Sequence, residues 1–203
     1  QIIISIDRLT EYFDDLMAYY HDKIVPLLIE QIKLDDKKQI ILNESALIEL
    51  NYFIKILEEE LEIYHSTLIP LLLNIIFNVS DKKNNRQRSE ALSALCTLIN
   101  RAPIELFNNH SDIMNLINNC NLILKESKMD ESEIKGNSLR CIGEIYGKLH
   151  KLIGINSDNE IVLEHLKIAY KFVNSDDYTL IESGFCFFGL VSRFVNLDNE
   201  IEQ

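Results

Sequence analysis

From Asn43 to Tyr64 the apolar residues Leu47, Leu50, Ile54, Leu57 and Leu61 fall at steps of three and four, with Glu49, Lys55, Glu58, Glu59 and Glu62 between them. Side chains three and four apart share one face of an α-helix, so this spacing predicts an amphipathic helix, with Asn43 as its N-cap. The same period runs through Ile6, Leu9, Phe13 and Leu16, and through Ala91, Leu92, Leu95, Leu98 and Ile99. It returns in Ile134 to Leu149, in Ile161 to Val173, and from Thr179 through Phe185, Phe188, Val191 and Phe194. Polar stretches separate these segments: LDDKK after Ile32, SDKKNN from Ser80, KESKMDESE from Lys125 and NSDD from Asn174. Nine helices and no strands are expected.

The segments also repeat. YHDKIVPLLIEQI (20 to 32) and YHSTLIPLLLNII (64 to 76) keep Tyr, His, Pro and the aliphatic run in register 44 residues apart. Ile113, Leu116, Ile117 and Cys120 stand 44 after Ile69, Leu72, Leu73 and Ile76. The expected units are a trailing helix over 1–20, then helix pairs over 21–64, 65–108, 109–155 with a longer acidic link, and 156–203. A proline is tolerated in a helix's first turn, where N–H groups lack an intrahelical acceptor. Helices are therefore expected to start about a turn before Pro26 and Pro70, with each Tyr-His pair in the preceding corner. A period of 44 lies in the range of HEAT or armadillo repeats and outside the 34 of tetratricopeptide arrays. The expected fold is all-α: a right-handed superhelical solenoid of antiparallel helix pairs, each burying its apolar face on the next.

Composition agrees. Three prolines and six glycines in 203 residues are too few for a turn-rich β protein. The most apolar run, Leu68 to Val79, is interrupted by Asn74 and Asn78, so no membrane span is expected. The chain opens at Gln1 without a secretory leader and reads as an interior piece. Cys96, Cys120, Cys141 and Cys186 fall within apolar patterns, as reduced core thiols do. Net charge is −12, which repels nucleic acid and anionic lipid and attracts basic partners.

Catalytic chemistry finds no foothold. The histidines at 21, 65, 110, 150 and 165 form no HExxH and the cysteines no CxxC, so no metal is expected. No phosphate-binding glycine loop occurs, so no cofactor is expected and the chain reads as a non-enzyme. ESGFCFFG (182 to 189) lacks the strand-to-helix turn of a nucleophile elbow. Its Phe185, Phe187 and Phe188 are expected to pack between layers, with Gly184 and Gly189 allowing close helix approach. Glu58, Glu59, Glu60 and Glu62 make the densest charge on the chain. They suit either a solvated helix end or, with Glu49, an acidic lining for lysine- and arginine-rich segments. Asp130, Glu131 and Glu133 form a similar acidic link.

YHDKIVPLL, YHSTLIPLLL, RSEALSALCTLI (88 to 99), IKGNSLRCIGEIYGKL (134 to 149) and LIESGFCFFGLVSRFV (180 to 195) together resemble consecutive HEAT repeats of the importin-β superfamily, most nearly the large importins carrying ribosomal proteins and histones. The resemblance runs over nearly all of the chain. It implies a monomeric nuclear transport receptor shuttling between cytoplasm and nucleus. Such a receptor binds basic cargo on its inner face, Ran-GTP through its first repeats, and phenylalanine-glycine nucleoporins between outer helices. The inner-face role maps here onto Glu49, Glu58, Glu59, Glu62, Asp130, Glu131 and Glu133. The competing expectation is a HEAT scaffold in a phosphatase- or condensin-type complex, with no response to Ran.

Overall fold

The computed structural model describes residues 18–33, 40–57, 59–78, 85–107, 109–126, 131–156, 159–193 and 195. Among them lie eight α-helices and no strand: α1 (His21–Lys33), α2 (Ile40–Ile56), α3 (Glu62–Asn78), α4 (Asn85–Arg101), α5 (His110–Glu126), α6 (Ser132–Leu149), α7 (Glu160–Val173) and α8 (Tyr178–Val191). Short 3-10 turns at Glu59–Leu61 and Ile104–Phe107 precede α3 and α5. The helix expected over 3 to 19 lies outside the described residues but for its last two. The chain divides into two compact units, Gln1–Leu98 and Ile99–Gln203.

In the first unit α1 packs on α2, because both carry an apolar stripe at helical spacing. Val25, Leu28, Ile29 and Ile32 of α1 are buried, as are Leu47, Leu50, Phe53 and Ile54 of α2. The single helix expected over 43 to 64 is in fact broken: α2 ends at Ile56 and a 3-10 turn leads into α3. Leu57 and Leu61 are both buried across this corner and keep the apolar stripe continuous through the bend. The glutamates beside it would meet the negative end of any helix prolonged through them, which favours a stop.

The second correction concerns Pro70, which sits eight residues into α3 rather than in its first turn. Both Pro70 and Ser66, whose carbonyl loses its helical N–H partner, are exposed, so water can serve that carbonyl. Tyr64 and His65 therefore lie inside α3, both buried, while His21 opens α1. By length and apolarity alone Glu59–Phe77 could cross a membrane, which the broken run had not suggested. Its Leu61, Leu68, Leu72 and Ile76 are buried within the protein, while Ile63 is exposed.

In the second unit α6 packs against both α5 and α8, and α8 against α7. Glycine sets the closeness of these crossings. A Cβ at Gly143 would stand 2.9 Å from Leu190 Cδ1, and one at Gly184 would stand 2.8 Å from the Ala169 carbonyl oxygen. Gly189 has open space around it and permits no approach, contrary to expectation. Phe187 is fully buried and Phe188 half-buried, but Phe185 is 60% exposed, so only part of that aromatic trio packs between layers. At Gly154 the chain takes φ +66, a left-handed turn suited to glycine, after α6. All four cysteines are free thiols; Cys120 and Cys141 are buried, Cys96 and Cys186 half-buried.

Candidate partner-binding surface and buried polar contacts

Helix ends place most of the expected acidic residues. Glu59 and Glu60 form the 3-10 corner, and Glu62 begins α3; all three are exposed. Ile63 beside them is 65% exposed. Glu133 is exposed in the first turn of α6 and Glu131 half-buried just before it. Glu62 and Glu133 thus have a structural reason to be acidic, since a carboxylate there meets the positive end of the helix dipole. Glu58 and Asp130 lie outside the described residues. Glu49 departs from expectation: it is 4% exposed and belongs to the interior of the first unit, not to a solvent-facing lining. Its spacing explains this, for it stands three after Ala46 and four before Phe53, both buried on the same stripe. The structure brings together Glu59, Glu60 and Glu62 in one unit, and Glu131 and Glu133 in the other.

The histidines and tyrosines do different work. His165 of α7 is fully buried between Tyr146 of α6 and Asn121 of α5. The Tyr146 hydroxyl lies 2.8 Å from Nδ1, and Nε2 bonds Asn121 Oδ1. Because that amide oxygen only accepts, Nε2 carries the proton and Nδ1 accepts from the tyrosine, which is the neutral ring. Burial lowers the His165 pKa to about 4 and raises that of Tyr146 above its ordinary value. Phe187 closes the pocket, its ring centroid 6.3 Å from Tyr146 and 6.4 Å from His165. With both nitrogens engaged and no exposure, this group is a fastener rather than a proton shuttle.

A looser counterpart joins the two Tyr-His phrases. His21 Nδ1 lies 2.9 Å from the Tyr64 hydroxyl, which in turn donates to the His21 carbonyl. The pair of phrases is thus joined ring to ring across 43 residues. Burial, then the charge of Asp22, raises the Tyr64 pKa.

Other side chains also meet partners about one repeat away. Arg86 pairs with Glu44 at 2.7 Å, Asn51 donates to Ser93 Oγ at 3.0 Å, and Asn100 donates to Glu144 at 3.1 Å. Lys148 of α6 donates to the carbonyls of Asn100 and Ala102, satisfying acceptors left open at the end of α4. Burial raises the Glu144 pKa against the pull of Asn100 and nearby cations, and burial lowers that of Lys148. Asp177 caps α8 through Thr179 and Leu180 N–H, and its hydrogen bond with Ser132 is the main cause of its lowered pKa.

One repeated signal escaped the 44-residue register. Ser93, Ser138 and Ser183 are 45 apart, and each is followed three residues later by a cysteine. Ser138 and Ser183 bond back to the carbonyls of Ile134 and Thr179 with the same 2.7 Å geometry. Among the described residues no group of three or more histidine, cysteine or acidic side chains is placed to hold a metal. No family model, curated protein or solved structure matches the chain.

Proposed function

We propose that the chain is a stretch of a HEAT-type helix-pair solenoid in a nuclear transport receptor of the importin-β kind, non-catalytic, that binds basic cargo segments. The observation that carries this reading is the exposed corner of Glu59, Glu60 and Glu62 on a chain of net charge −12. Polar contacts between side chains 42 to 44 residues apart support the repeat architecture beneath it. Ran-GTP, nucleoporins and shuttling between cytoplasm and nucleus come with the family likeness of the phrases, and are part of the proposal.

The test is titration of the chain with lysine- and arginine-rich import-signal peptides at low salt. An E59K/E60K/E62K variant should bind about tenfold more weakly, since three exposed ion pairs contribute roughly 0.5 kcal/mol each. Unchanged affinity would remove the corner from the reading, and no binding by the full gene product would end it. Burial of Glu49 thins the acidic lining and favours a second reading, a scaffold subunit whose acidic corner is only solvated. Adding Ran-GTP to the loaded full gene product separates the two: a receptor releases its partner and a scaffold keeps it.

A further inference from the structure

Helices α6 and α8 run side by side in the same direction, since Gly136, Gly143 and Gly147 of α6 meet Thr179 and Ser183, then Phe187 and Leu190, of α8 in rising order. Beside this crossing each helix leaves a row of unburied residues at steps of three and four. The rows are Arg140, Glu144 and Lys148 on α6, and Glu182, Cys186, Gly189 and Arg193 on and just past α8. Arg140 reaches across to Glu182 at 4.0 Å, so the two rows adjoin. Gly189 is exposed, with open space where a side chain would stand, and leaves a shelf between Glu182 and Arg193.

Charge on these rows runs against that of the chain. Arg193, Arg140 and Lys148 all act on the carboxylate of Glu144, which Asn100 holds toward α4 through a 3.1 Å hydrogen bond. Lys148 donates to the carbonyls of Asn100 and Ala102, which are uncharged and leave its positive charge in place, while Glu105 acts on it from the turn before α5. Arg140 and Glu182 are both exposed and stand at the outer limit of an ion pair, so water competes for each. Arg193 makes no ion pair among the described residues. A base near a helix C-terminus answers the dipole, which accounts for Lys148 and Arg193. It does not account for Arg140, in the middle of α6.

We infer that these adjoining rows bind a short acidic segment of a partner protein, whose carboxylate or phosphoserine side chains are held by Arg140 and Arg193 across Gly189. The guanidinium fork matches both groups. At about 1.5 Å per residue, Arg140 and Lys148 lie about 12 Å apart along α6, which roughly four extended peptide residues span. A long polyanion fits less well, because a net charge of −12 repels nucleic acid. The inference goes beyond basic cargo. The corner of Glu59, Glu60 and Glu62 belongs to the other unit, and either surface stands if the other fails.

The test is fluorescence anisotropy of the 203-residue chain at low salt with three dye-labelled peptides, in which glycine alternates with aspartate, with phosphoserine or with asparagine. Both anionic peptides should bind, the tighter one identifying the source of the charge, and the asparagine peptide should not. Arg140→Gln/Arg193→Gln should weaken binding about fivefold, as two exposed ion pairs imply. Arg193→Gln alone repeats the measurement should the double variant disturb folding. Glu182→Gln should strengthen binding about twofold by freeing Arg140, which a merely structural role would not do. The arginine variants should leave the titration with lysine-rich peptides unchanged. Four results would each overturn the inference: no binding of either anionic peptide, equal binding by arginine variants of unchanged circular dichroism, a single-stranded oligonucleotide bound more tightly than either peptide, or self-association that the arginine variants abolish.

Discussion

At the scale of the residue, His165 ties stability to pH. Its pKa falls from 6.5 in the unfolded chain to about 4 in the folded one, so between those values the unfolded state binds more protons. The stabilisation is complete above pH 6.5 and drains away as pH falls toward 4. A shift of this size corresponds to roughly 3 kcal/mol at most. Urea unfolding measured from pH 7 to pH 4 should show stability falling with acidity, and His165→Gln should flatten that slope while lowering stability at neutral pH. An unchanged slope would mean that the ring is not the neutral, doubly bonded group described. Nothing in the sequence singled His165 out, because its partners come from helices 19 and 44 residues away.

At the scale of the element, glycine divides into two kinds within one helix. Gly184 faces backbone atoms of α7, so an added methyl has no flexible neighbour to displace, whereas Gly189 faces open space. Gly184→Ala should therefore destabilise by about 1–3 kcal/mol through overpacking. Gly189→Ala should stabilise by about 0.5–1 kcal/mol through helix propensity. Thermal unfolding of the two variants should move in opposite directions, and a shift of the same sign would break the account. Sequence periodicity placed all eight described helices, since each buries a stripe at three- and four-residue steps. It misplaced the boundary near Tyr64 because proline was read as a first-turn residue. Pro70 is tolerated deeper in α3 through the exposure of its own face, which spacing does not encode.

At the scale of the whole molecule, the candidate surface was only half legible. Charge density picked out Glu59 and Glu62, which are exposed, yet it also picked out Glu49, which the apolar stripe of α2 draws inside. A wheel drawn through Ala46, Glu49 and Phe53 would have shown this. Phe185 errs the other way: its composition spoke for packing between layers, yet it is 60% exposed. Because the proposed attraction acts between exposed charges, salt should weaken peptide binding steeply. The Debye length falls from about 30 Å at 0.01 M to about 8 Å at 0.15 M. Affinity for a basic peptide should drop over this range while the helical melting curve hardly moves, because burial and not surface charge holds the helices together. Binding indifferent to salt would count against an electrostatic surface.

Lys148 has a consequence in time as well as in space. It serves the Ala102 carbonyl from 46 residues further along the chain. At a synthesis rate of about 5–20 residues per second, the end of α4 therefore waits roughly 2–9 seconds for its lysine to be made. Until then those carbonyls have only water to accept from, so the last turn of α4 frays more readily before α6 is made than after.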